Sequence, residues 1–181
     1  EDLKKAWEEI DLEKVKGIER TLKNAYDNDK SIFLIGNGGS CSTASHFACD
    51  LGKGSVKDYQ NNSEKRFKVY SLTDNTSLIT AYANDLKYAE VFSQQLKNFL
   101  QPNDVLLAIT ASGNSENIIT AIEYANLKKA KTIGLLGFGG GKAAKMVDEK
   151  IIVNSYNYGI VEDVHLSLMH IITQNLKNII S

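Results

Sequence analysis

The three histidines of this chain fall in two short segments, and each segment also carries carboxylates. His46 precedes Asp50 by four residues, a spacing that puts both side chains on one face of a helix. Glu162, His165 and His170 lie close together near the C-terminus, again in a helical pattern. A histidine and a carboxylate on different elements can take a proton from one atom and return it to a neighbour. Each such group contributes roughly 10²–10⁴-fold when its pKa lies near neutrality. A single histidine on a half-apolar helix is more often a packing or surface group than a catalyst. The chemistry therefore needs a substrate site beside it.

Two loops supply one. In "FLIGNGGSCSTASHF" an apolar run ends in Asn37, Gly38, Gly39 and Ser40, and the helix carrying His46 follows. The glycines let the backbone turn tightly and approach an anion, and Ser40 begins a helix whose free N–H groups attract negative charge. The stretch "LLAITASGNS" repeats the plan with Thr110, Ala111, Ser112 and Ser115. Hydroxyls hold phosphate oxygens without adding charge, which suits a monophosphate that must enter and leave. A Walker-type loop would carry a lysine after its glycines, and Ser40 and Cys41 stand where a dinucleotide fingerprint needs its later glycine. Either loop alone reads equally well as turn and cap residues. Together they predict one phosphate site.

The elements that must position these groups are legible. Apolar runs at 31–36, 66–72, 104–110, 131–137 and 150–155 read as strands of a parallel sheet covered on both faces. Helical patterns occupy 1–28, 41–52, 75–83, 87–100, 115–129, 141–148 and 161–180, with Asp11 a candidate N-cap that splits the first. Strands alternating with helices predict one α/β domain over residues 1–181, a doubly wound five-stranded sheet of the flavodoxin or Rossmann type with an N-terminal helical segment. In such sheets ligands bind outside the carboxyl ends of the strands at a topological switch point. Both Gly/Ser/Asn loops belong at that edge.

Composition excludes several other classes. The chain is 43% hydrophobic and 24% charged with one proline, as expected of a globular domain. Net charge is −1 with lysine and glutamate interspersed, so no nucleic-acid partner is expected. Cys41 and Cys49 lack CxxC spacing, which argues against disulfide frameworks and zinc ribbons and for a reducing compartment. No long apolar stretch predicts a membrane span. A cytoplasmic protein is expected, with further residues ahead of Glu1 because no Met begins the chain.

The motifs "GNGGS…HFA", "SLTDN", "AND", "SGNS", "TIGLLGFGGG" and "VEDVH…H" occur in the order that resembles the sugar isomerase (SIS) domain family, and most of all its phosphoheptose isomerases. The resemblance runs from about residue 30 to the C-terminus. It implies conversion of sedoheptulose 7-phosphate to a heptose 7-phosphate aldose through an enediol, and a homotetramer assembled with residues 1–28. It also implies that Asp50 and His170 share the acid–base work. Phosphate and sugar contacts would come from the loop residues already named, from Asn84 and Asp85, and from Glu162. A Zn2+ ion, often held in the family, would take His46, Asp50, Glu162 and His170 as a two-histidine, two-carboxylate set.

The chain departs from that pattern at several positions. Asp50 stands where the family has a glutamate and Glu162 where it has a glutamine; "GKGS" (52–55) replaces an arginine, and "TASGNS" replaces "STSGNS". Each of "TDN" and "AND" reads equally well as caps and turns, and Tyr88, Tyr124, Tyr156 and Tyr158 read as packing residues. A second reading, a non-catalytic SIS scaffold of the replication-initiator-associating type, stays open at this level. So does an isomerase for another phosphosugar. The histidines with their carboxylates favour an enzyme.

Overall fold

The computed structural model describes residues 1–180. Helices α1 (Asp2–Glu8) and α2 (Leu12–Asp27) lead into β1 (Ser31–Gly36) and α3 (Gly39–Cys49), which runs into a π-helical turn, Asp50–Gly54. Then come β2 (Lys68–Ser71), α4 (Thr76–Asp85), a 3-10 turn at Tyr88–Glu90, α5 (Val91–Phe99), β3 (Val105–Thr110) and α6 (Glu116–Leu127). The chain finishes with β4 (Lys131–Leu136), 3-10 turns at Phe138–Gly140 and Ala143–Lys145, β5 (Glu149–Ile152) and α7 (Tyr158–Ile179).

All strand pairs are parallel, in the order β2-β1-β3-β4-β5. The order reverses between β1 and β3, so the loops after those two strands meet at the switch point. Alternate strand residues feed two cores. Ile32, Leu34, Leu107, Ile109 and Ile133 pack under α1, α2, α3 and α7, while Phe33, Ile35, Leu106 and Ala108 pack under α5 and α6. The doubly wound α/β fold is as the alternating pattern predicted. Local signals set its boundaries. Asp11 caps α2 by accepting from the Glu13 N–H at 2.9 Å, and Asn157 caps α7 by accepting from the Gly159 N–H at 2.9 Å.

Two expectations need correction. Residues 141–148 form no helix beyond the single 3-10 turn Ala143–Lys145, because Gly139, Gly140 and Gly141 hold left-handed φ values of 76°, 87° and 53° and keep the chain in a loop. Strand β2 is an edge strand whose burial alternates rather than running continuous. The apolar stripe of α2 (Val15, Ile18, Leu22, Ala25) packs within its own chain, onto the sheet and α7, and is not free for a neighbour. Among the described residues no helix is long and apolar enough to cross a membrane.

Candidate active site

At the switch point lies a cavity of about 290 Å3, lined by Asn37, Gly38, Gly39 and Ser40 from the first loop and Thr110, Ala111, Ser112 and Ser115 from the second. The two loops predicted to share a site do so. Tyr158 and Glu162 of α7 close one wall. Gly38 serves as N-cap of α3 with a φ of 57°, a conformation glycine adopts without strain. The first N–H groups of α3 and α6 border this space, and helix N-termini favour negative charge. Ser115, the N-cap of α6, makes no side-chain cap bond, so its hydroxyl is uncommitted. The residues that line the cavity include no lysine or arginine. An anion held here is held by hydroxyls, N–H groups and helix dipoles.

The glycine-rich segment after β4 braces the second loop. Ala143 N–H donates to the Gly113 carbonyl at 3.0 Å, and Lys142 N–H donates to Asn114 Oδ1 at 3.0 Å. Gly113, at φ 64°, sits so close to Gly140 that a methyl group there would overlap the Gly140 carbonyl oxygen. Its own N–H donates to Thr110 Oγ1 at 3.2 Å. Ser112 is thereby held between two fixed turns.

The second cluster brings α3 and α7 together. His46 Nε2 and His170 Nε2 are 3.4 Å apart, and each lies 3.5 Å from Asp50 Oδ2. The imidazole rings meet edge to face, 5.0 Å between centroids. Asp50 opens the π-helical turn at the end of α3, and such local widening is frequent at functional sites. An ion held tetrahedrally at about 2.0–2.1 Å separates its ligand atoms by roughly 3.4 Å. The triangle has that size, and its two nitrogens and one carboxylate oxygen suit Zn2+ chemically.

Not every predicted residue joins these two groups. Glu162 is outside the triangle: its carboxylate packs over Gly39, in the space a Cβ there would fill. Two helical turns of α7 separate it from His170, so it lines the loop cavity and stands outside the triangle. Asn84 and Asp85 end α4 on the surface, bonded to each other at 2.9 Å, and do not line the cavity. Tyr158, read from sequence as a packing residue, lines it. The available signal was its place directly after the Asn157 cap of the helix that carries Glu162 and His170.

A profile of the SIS domain matches residues 1–137. The chain belongs to the SIS domain family. It is 35% identical over 168 residues to a probable phosphoheptose isomerase of Thermoplasma volcanium, covering 93% of this chain and 83% of that one. It is 36% identical over 173 residues to the phosphoheptose isomerase of Helicobacter pylori strain P12, covering 95% and 86%. The solved structure of phosphoheptose isomerase GmhA from Neisseria gonorrhoeae superposes with a TM-score of 0.88 at 30% identity, covering 97% of this chain and 91% of that one.

Within this SIS domain the third histidine stands apart from the chemistry. His165 is fully buried, and its Nε2 faces the Leu136 carbonyl oxygen at 3.2 Å, so Nε2 carries the hydrogen and donates. Nδ1 has no partner. Burial lowers its pKa to about 4, from an ordinary value of 6.5. Between those values the unfolded chain takes up a proton that the native state refuses. Stability is therefore fully present above about pH 6.5 and falls as pH drops toward 4, by up to roughly 3 kcal/mol. Urea midpoints measured across that window for wild type and His165→Gln should converge as pH falls. Parallel profiles would show that His165 does not titrate on unfolding.

Proposed function

We propose that this SIS domain interconverts sedoheptulose 7-phosphate and D-glycero-D-manno-heptose 7-phosphate through an enediol. The observation that carries the reading is the pairing, along α7, of a cation-free cradle of hydroxyls and backbone N–H groups with a histidine–carboxylate triangle. Glu162 over the cradle and His170 in the triangle are eight residues apart, about 12 Å of helix axis. A seven-carbon chain with bonds of about 1.5 Å extends to roughly 10 Å with its phosphate. A phosphate in the cradle leaves C1 and C2 near Asp50 and His170. The relatives named phosphoheptose isomerases support the same substrate.

In the mechanism we propose, Asp50 takes the proton from C1 of the ketose. The electron pair of that C–H bond becomes the C1–C2 double bond, and His170 protonates the carbonyl oxygen at C2. Return of a proton to C2 with loss of the O1 hydroxyl proton gives the aldose. Ser40, Ser112, Ser115 and Asn37 hold the phosphate, and Glu162 accepts from sugar hydroxyls beside it. His46 Nε2, Asp50 Oδ2 and His170 Nε2 would hold a Zn2+ ion, which would supply a Lewis acid for the developing oxyanion in place of the His170 proton, because a ligating Nε2 has none to give. Asp50 Oδ1 lies outside that triangle of ligand atoms and stays available for a proton.

NMR of sedoheptulose 7-phosphate in deuterated buffer tests the reading: the enzyme washes solvent deuterium into C1. A complete lack of exchange, with and without added Zn2+, would remove this substrate while leaving the fold. The proposal also includes a cytoplasmic homotetramer. Helix α4 buries no residue although it carries Leu78, Ile79 and Tyr82, and Leu12, Tyr70, Leu86 and Phe99 are exposed. Such apolar surface is stabilised by burial against other copies. Light scattering at micromolar concentration should give four times the chain mass, and a monomer would exclude this assembly.

A further inference from the structure

An amide clasp joins the two loops of the cavity. Asn37 follows β1 and Asn117 lies in the first turn of α6, 80 residues away, yet both halves of their amides meet. Asn37 Nδ2 donates to Asn117 Oδ1 at 2.9 Å, and Asn117 Nδ2 donates back to Asn37 Oδ1 at 2.9 Å. The Tyr88 hydroxyl gives Asn37 Oδ1 a second donor, also at 2.9 Å. Both lone pairs of that oxygen are then used, and turning the amide over would break bonds to both partners. One hydrogen of Asn37 Nδ2 goes to Asn117; the other has no partner among the described residues, and Asn37 lines the cavity. Asn117 itself is only 2% exposed, and Ser115, two residues earlier, lines the same cavity.

We infer that Asn117 and Tyr88 are positioning residues for the sugar phosphate. They hold Asn37 with its spare N–H presented to the anion, and they fix the separation of the two loops that the anion must span. A free N–H matters here because the cradle offers no cation: a phosphate oxygen that meets a carbonyl instead of a donor loses a charge-assisted bond and gains a repulsion. This inference rests on the phosphosugar reading above.

Asn117→Asp tests the effect, because it keeps the shape and replaces the donor with an oxygen whose protonation pH controls. Ionised, the new carboxylate still accepts from Asn37 Nδ2 but repels Asn37 Oδ1, and turning the amide over only moves that repulsion while losing the Tyr88 bond, so the clasp opens and Asn37 no longer presents its spare N–H to the ligand. Protonated, the carboxyl group donates and accepts as the asparagine did. Calorimetry with sedoheptulose 7-phosphate should show the dissociation constant at least about tenfold above wild type near pH 8. The ratio should return to within roughly threefold near pH 5, as the carboxyl group regains its proton. Tyr88→Phe, a change on an exposed ring, should raise KM by about three- to tenfold with kcat within about twofold. A variant-to-wild-type ratio that ignores pH, or a Tyr88→Phe KM equal to wild type, would overturn the positioning role. If Asn117→Asp does not fold, the Tyr88→Phe result decides alone. A wild-type protein that binds no sugar phosphate would instead overturn the functional reading, and the clasp's role with it.

Discussion

His170→Gln lowers turnover of sedoheptulose 7-phosphate by about 10²–10⁴-fold and leaves the dissociation constant of the substrate nearly unchanged. The expectation follows from where His170 stands. It shares the triangle with His46 and Asp50, 3.4 Å and 3.5 Å away, and it does not line the cavity proposed to take the phosphate. Glutamine keeps one donor and much of the volume, and residue 170 is partly exposed on its side of α7, so folding has little to lose. What disappears is an imidazole that can pass a proton, and with it one of three atoms spaced for a metal ion. A coupled assay gives kcat and calorimetry gives the dissociation constant. Turnover within about fivefold of wild type would remove His170 from the proton path, since general acid–base groups contribute far more than that. Loss of affinity without loss of turnover would place it in substrate binding instead.

What the sequence made legible about this site, and what it hid, divides along a physical line. Local patterns carried far. The β1 and β3 runs, the Gly/Ser/Asn loops and the helices after them depend on neighbours in the chain, and the reversal of strand order brings those loops together. The i,i+4 spacing of His46 and Asp50 also survived, because a helix fixes it. Long-range partners were not legible. The family resemblance places Glu162 in the metal set, but eight residues of α7 carry it away from His170 and onto Gly39. Nothing in the local sequence marks Asn117, because its partner Asn37 is 80 residues distant. Helix propensity at 141–148 lost to the glycines before it, whose loop packs against the second phosphate loop. The helical pattern of residues 1–28 does not say which surface covers the apolar stripe of α2, and here α7 and the sheet of the same chain do.

Gly113→Ala should disable phosphosugar binding more severely than any substitution of a single hydroxyl in the cavity. Two costs add at this position. The backbone is left-handed, φ 64°, where an alanine is strained by about 1–2 kcal/mol. The added methyl group would also overlap the Gly140 carbonyl oxygen, a backbone atom that cannot rotate aside as a flexible side chain can. The loop must therefore lift away from the glycine segment after β4. That breaks the Ala143 N–H bond to the Gly113 carbonyl and carries Ser112 and Ser115 off the cavity together. Loss of two or more charge-assisted bonds predicts a fall in affinity of at least about a hundredfold. The His46–Asp50–His170 triangle, built on α3 and α7, should be intact, and a metal ion added to the variant should bind as it does to wild type. Gly139→Ala separates strain from collision. Gly139 is also left-handed, φ 76°, but the nearest atom to a new methyl group is the Tyr156 hydroxyl, 3.8 Å away. Its substitution should lower the melting temperature by a few degrees and affinity by less than about tenfold. If both alanines weaken binding equally, backbone strain alone explains the loss, and the close packing of Gly113 on Gly140 does not position the phosphate loop.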